Sequence, residues 1–159
     1  MCIRDRDNEI RNMENQFKNL QSKLNSLFLT KSIERKKIAK QLQDSVISIL
    51  RDLGLKNANF LIQFSECKPS GDGIDDIQFL FSANPDQRLA PLSSVISGGE
   101  MSRFLLAIKS SISKKPNTFF LDEIDNGLSG KSLISLVELI KEISKDQQVL
   151  CITHQPFLS

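Results

Sequence analysis

Several things are scarce or missing from this chain, and each narrows what it can be. Three cysteines, Cys2, Cys67 and Cys151, stand far apart in 159 residues. That number and spacing argue against a disulfide framework and fit a reducing cytoplasm. No apolar run approaches the roughly 20 residues that a membrane span requires. Met1 to Asn15 is mostly polar and charged, so no signal peptide is read there. The formal net charge is only +2, too small by itself to argue for a nucleic-acid partner. The phosphate-loop pattern G-x-x-x-x-G-K-[ST] is absent as well. Its one decoy is Gly130-Lys131-Ser132, but the first glycine of the pattern would have to stand where Asp125 does. Gly127 comes two residues late, and there is no other Gly-Lys pair.

What is present describes a globular domain with an extension. Apolar residues make up 40% and charged residues 25%, enough for one domain with a real core. Met1 to Arg6 fits no pattern in the rest of the chain and is set aside as a non-native scar. From Ile10 the apolar positions Met13, Phe17, Leu20, Leu24 and Leu27 follow at alternating steps of three and four. That is a heptad seam with polar residues between, a coiled-coil helix. The phase is lost around Phe28 to Ser32, where a local restart or hinge is expected. A second helical pattern runs through Ile38, Leu42, Val46, Ile49, Leu50 and Leu53 and stops at Gly54. Arg35, Lys36, Lys37 and Lys40 cluster on it and read as a solvated face, with a DNA or phosphate contact as the lesser alternative.

After Gly54 the grammar changes. Phe60–Phe64 and Ile77–Phe81 read as an antiparallel strand pair around a loop over Lys68–Asp76. Asn84-Pro85-Asp86 ends the second strand. Ser97-Gly98-Gly99-Glu100 then opens an apolar helix through Met101, Phe104, Leu105, Ile108 and Ile112. Two adjacent glycines at a helix N-terminus allow close approach of an anion to free N–H groups. The plainer reading of Ser97-x-x-Glu100 is a capping box. Thr118–Leu121 is a buried-strand pattern ending in Asp122 and Glu123. Carboxylates just past such a strand lie where α/β sheets bind ligands. One of them suits Mg²⁺ and the other a water-activating base; a pair of solvated acids opening a turn is the alternative. A helix over Ser132–Ile143 and a strand over Gln148–Thr153 follow, with His154 at the strand's end. The order from Ser97 on is helix, strand, helix, strand, which is α/β grammar. Cys151-x-x-His154 lacks a second ligand pair, so zinc is set aside.

Four of these stretches, in order, resemble a known family. Ser97-Gly98-Gly99-Glu100 is similar to the signature motif of ABC-type ATPases, and Phe119-Phe120-Leu121-Asp122-Glu123 to their Walker B strand. Ile124 to Gly130 resembles their D-loop, and Thr153-His154 their switch histidine. The wording of Phe81 to Pro85, Ser97 to Arg103, Asp122 to Gly130 and Thr153 to Pro156 narrows the resemblance to bacterial SMC-like ATPases of DNA double-strand-break repair.

The resemblance implies an α/β fold: the C-terminal lobe of an ABC/SMC-type head, three-layer-like, with a mainly parallel sheet and flanking helices. A helical coiled-coil arm over 1–55 would precede head residues 56–159, and the head would be truncated at its C-terminus. It implies ATP and Mg²⁺ as cofactors. Ser97, Gly98 and Gly99, with Glu100 beside them, would bind the γ-phosphate of ATP held by the opposite protomer. Asp122 would support the metal, Glu123 would be the general base, Asp125 would communicate across the interface, and His154 would sense the γ-phosphate. The implied partners are a second copy through ATP-sandwiched heads, DNA, and recombination proteins, with no membrane. The implied location is cytoplasmic and nucleoid-associated. Walker A, the Q-loop and the ascending arm would lie outside this chain, leaving it inactive alone. Two other readings stay open: a coiled-coil interaction or DNA-tethering module whose acids are structural, and an NTPase using Gly130-Lys131-Ser132 as its phosphate loop.

Overall fold

A computed structural model describes residues 3–94, 98–112, 118–122 and 124–153. Ser97, Glu123 and His154 of the expected site lie outside the described residues, as does the scar's first pair, Met1 and Cys2. The element order is α1 (Ile3–Asp52), β1 (Asn59–Ser70), β2 (Gly73–Ser82), β3 (Ala90–Pro91), a single 3-10 turn at Leu92–Ser94, α2 (Gly98–Ile112), β4 (Thr118–Asp122), α3 (Lys131–Ser144) and β5 (Gln148–Ile152).

The hinge expected near Ser32 does not form: α1 is one helix of 50 residues. No glycine or proline interrupts the sequence before Gly54, so nothing in the backbone forces a break. What changes at Phe28–Ser32 is the face. Up to Leu27 the seam residues are exposed, Phe17 and Leu20 each at 66%. Beyond it the buried positions Ser32, Ala39, Val46 and Leu53 recur every seven residues, one step out of phase with the seam. One helix therefore carries two stripes, rotated by about 100°.

Packing divides the chain into two units, 1–38 with 64–76, and 39–63 with 77–159. In the first, Ser32 is not a restart but a buried donor. Its Oγ gives a 2.7 Å hydrogen bond to Asp75 Oδ1. Arg35 Nη1 reaches Asp75 Oδ2 at 3.5 Å. The hairpin turns at Gly71-Asp72, tighter than the expected loop, because β1 and β2 both run on to meet there. A two-residue link permits only antiparallel pairing. Gly73 follows with φ +117°, and a Cβ there would sit 2.9 Å from Arg35 Nη1. Of the basic cluster, Arg35 is thus paired and Lys36 lies 5.9 Å over the Phe64 ring, while Lys37 and Lys40 face solvent.

The strands form two sheets, of which the β4–β5 sheet, β3 and the parts of β1 and β2 outside 64–76 belong to the second unit. β1, β2 and β3 lie side by side, with Phe81 opposite Ala90 in the antiparallel β2–β3 pair. β4 and β5 pair in parallel, Thr118 opposite Gln148 through to Asp122 opposite Ile152. Helix α2 supplies both cores. Phe104 meets Phe81 and Phe60 at ring-centroid distances of 4.8 and 5.0 Å. Leu106 joins an aliphatic cluster with Leu53, Phe119, Leu121, Ile124, Leu128, Leu133, Leu136 and Ile143.

Phe104 is fully buried at the centre of the aromatic group. Phe104→Ala should cost about 3–5 kcal/mol. Urea unfolding of the chain, followed by circular dichroism, measures this; a loss below about 1 kcal/mol would mean that the aromatic group does not hold the fold.

Candidate functional site

The site sits where β4 and β5 end. Parallel strands in register bring their C-terminal ends to one edge, where Asp125 and Thr153 meet. α3 is the crossover that makes this pairing possible. The link from β4 to α3 is a tight turn in which Leu128 N–H donates to Asp125 O at 3.0 Å. Ile124 and Leu128 point into the aliphatic cluster. That leaves Asp125 between two inward-facing anchors.

The acids of this edge differ sharply. Asp122 ends β4 and is exposed. Asp125 is only 6% exposed, and its Oδ2 accepts a 2.6 Å hydrogen bond from Thr153 Oγ1. One carboxylate is open to a solvated ion and the other is held by protein. Cys151, on β5, feels both. Burial pushes its thiol above the ordinary value, and the charges of Asp125 and then Asp122 push it the same way.

α2 begins at Gly98, so the glycines occupy a helix N-terminus as expected. Gly98 is exposed, Gly99 is buried and Glu100 is half-buried. The helix is tied to the acid edge by a residue for which sequence reasoning named no role. Arg103 is 6% exposed. Its Nη1 donates to Asn126 O at 2.8 Å and to Ile124 O at 3.3 Å, the carbonyls of the residues before and after Asp125. Burial lowers its pKa, partly offset by Glu100. A signal was available: Arg103 stands on the same helical face as Gly99, Phe104 and Ala107, and an arginine is seldom buried without a task. Thr153 was quoted only as a neighbour of His154, and its grip on Asp125 was missed too.

The structure speaks against a phosphate loop at Gly130-Lys131-Ser132. The turn before it is anchored by the inward-facing Ile124 and Leu128 side chains, with the buried carboxylate of Asp125 where the pattern needs a glycine. Gly130 is the N-cap of α3, with φ +56° and no side-chain cap bond. Among the described residues, no group of three or more His, Cys, Asp or Glu could enclose a metal.

A protein-family model described as "AAA domain, putative AbiEii toxin, Type IV TA system" matches residues 4–159, and the chain belongs to this AAA-domain family. It is 38% identical over 128 residues to the DNA repair protein RecN of Synechocystis sp., covering 79% of this chain and 22% of that protein. Against RecN of Rickettsia conorii it is 40% identical over 140 residues, 86% of this chain and 26% of that one. RecN of Halalkalibacterium halodurans is 34% identical over 168 residues, 97% and 30% of the two. The chain therefore spans 22–30% of the length of these relatives. The resemblance read from the four motifs is borne out by them. Among solved structures, the Smc head domain with a coiled coil and joint derived from Pyrococcus yayanosii matches with a TM-score of 0.64 at 16% identity, over 96% of this chain and 29% of that one. This likeness bears out the expected fold, an α/β head lobe with a helical arm.

The Cys151 thiol reports the negative charge of the edge. At about pH 8.5, near the ordinary thiol pKa, Cys151 should be alkylated more slowly than exposed Cys67. Asp125→Asn should speed Cys151 by removing one of the charges that hold the proton on. Mass spectrometry of iodoacetamide-treated chain measures both rates; equal rates at the two cysteines would overturn this picture of the edge.

Proposed function

We propose that the chain is the C-terminal part of the ATPase head of a DNA-repair protein of the RecN kind, carrying half of a nucleotide site that a second head completes. Residues 1–55 are the returning half of a coiled-coil arm, and 56–159 belong to the head. The exposed seam from Ile10 to Leu27 supports the arm, because such a stripe calls for a partner helix.

One observation carries the nucleotide reading. The parallel β4–β5 edge presents an exposed Asp122, and a buried arginine on the glycine-capped helix reaches the turn just beyond it. Mg²⁺ is ordinarily held by one or two carboxylates together with phosphates and waters, so a lone exposed aspartate fits it. When bound, Mg²⁺ neutralises phosphate charge and ATP supplies the phosphoryl group. Asp122 orients the ion. Glu123 takes the proton from the attacking water. Ser97, Gly98 and Gly99, with Glu100 behind them, offer N–H groups and a hydroxyl to the γ-phosphate on the partner head. His154 contacts the same phosphate, and Asp125 reads the partner across the interface. Coupled to DNA, this cycle serves double-strand-break repair with recombination proteins in the bacterial cytoplasm, at the nucleoid.

In the full-length protein, Glu123→Gln keeps size and hydrogen bonding but removes the base. Hydrolysis should fall about 10²–10⁴-fold, while ATP and Mg²⁺ still bind and the ATP-bound head dimer accumulates. Steady-state phosphate release and light scattering with ATP follow the two effects. Turnover at the unmodified rate would sink the assignment of Glu123.

A further inference from the structure

We propose that Arg103 is a positioning residue: it fixes the backbone of the Asp125 turn to the glycine end of α2, so that a phosphate docking at Gly98–Gly99 is felt by the acid edge. This rests on the proposed function, in which both ends act on nucleotide.

A buried arginine is costly. Arg103 is 6% exposed and, among the described residues, forms no ion pair. Its Nε is buried with no hydrogen-bond partner among them. Burial disfavours the guanidinium charge and Glu100 offsets only part of that, and an apolar side chain of similar volume commonly fills such a space at least as well. Packing alone therefore does not call for arginine here. What an apolar residue could not do is hold two carbonyls. Nη1 spans Ile124 O and Asn126 O, so the donor fixes the peptide group entering Asp125 and the one that leaves Asn126, while Asp125 O between them accepts from Leu128 N–H.

The geometry makes this a link rather than a local cap. Arg103 lies five residues after Gly98 on one helix, about 7.5 Å along its axis. A helix moves as a rod over so short a distance, so a shift of its glycine end is carried to Arg103 and thence to the turn. From the other side, Thr153 at the end of β5 holds the Asp125 carboxylate. Asp125 is thus clamped twice, its backbone from α2 and its side chain from β5. Arg103 touches no reacting atom; it acts through the turn.

The test compares Arg103→Met, which keeps an unbranched apolar stem but removes the guanidinium, with Arg103→Lys, which keeps a cation but not the planar fork. The first readout needs no nucleotide: amide exchange of Leu128, whose N–H closes the turn, against that of the β4 amides. In Arg103→Met, Leu128 should lose about tenfold or more of its protection, the equivalent of one charge-assisted hydrogen bond, while β4 keeps its own. The second readout is ATP turnover by the full-length variant. kcat should fall by on the order of 10²-fold with KM for ATP unchanged, and Arg103→Lys should fall between Met and the parent on both readouts. Unchanged Leu128 exchange overturns the proposal whatever the activity. Loosened exchange with unmodified kcat overturns the positioning role. If Arg103→Met loses β4 protection as well, it has unfolded, and Arg103→Lys decides on the same two criteria. If the unmodified full-length protein hydrolyses no ATP, the proposed function falls, and Leu128 exchange alone judges the clamp.

Discussion

Parallel pairing of β4 with β5 is the constraint on which the rest of the site depends. Two adjacent parallel strands cannot be joined by a short turn, so the chain must leave the sheet, cover one face and return. α3 is that cover, and its buried residues Leu133, Leu136 and Ile143 close the aliphatic cluster over Phe119 and Leu121. The register then places Asp122 beside Ile152 at the same edge. Residues about 30 positions apart in sequence become neighbours without any direct attraction between them, as a parallel crossover requires. The Asp125–Thr153 hydrogen bond is a consequence of that register.

The turn after β4 shows how packing and polarity are shared out within a few residues. Ile124 and Leu128 are buried among aliphatic side chains and anchor the turn hydrophobically. Asp125, between them, is drawn inward with them, and its buried carboxylate accepts from Thr153. The buried carbonyl of Ile124 would otherwise be desolvated with nothing to accept from, a cost of a few kcal/mol in an apolar setting. Arg103 supplies the donor to it and to Asn126 O. The exposed Asp122, three residues before Asp125, escapes all of this and stays open to solvent.

α1 illustrates a different balance. Helix propensity favours one long rod, since no helix breaker occurs before Gly54. Hydrophobic burial favours two stripes, because the helix has two surroundings: a seam open to solvent up to Leu27, and a packed stripe after Ser32. The backbone stays continuous and only the apolar face rotates. A phase slip in the pattern marks a change of what the helix touches as readily as a break in the helix. At the slip, Ser32 is buried against Asp75 of β2, a contact between residues 43 positions apart that periodicity cannot foresee.

Much of this protein is local, and what is local was legible in the sequence. Periodicity marked the arm and both later helices, and short apolar runs marked β4 and β5, because side-chain spacing follows backbone geometry residue by residue; their burial was misread, since β4 is buried only at Phe119 and Leu121, and Phe120, Leu150 and Ile152 face out. Paired glycines before an apolar helix marked the N-terminus of α2, and the missing glycine at Asp125 argued against a phosphate loop. The motif order carried the family. Tertiary structure alone decided the rest, because those features depend on partners distant in the chain. It set which face of the continuous α1 is covered after Leu27, and it turned the expected hairpin loop into a two-residue link, since β1 and β2 extend each other by pairing. It separated an exposed Asp122 from a buried Asp125, two acids that read alike in sequence. It also gave Arg103 its place, because a guanidinium's worth is set by the carbonyls it meets, here 21 and 23 residues further along the chain.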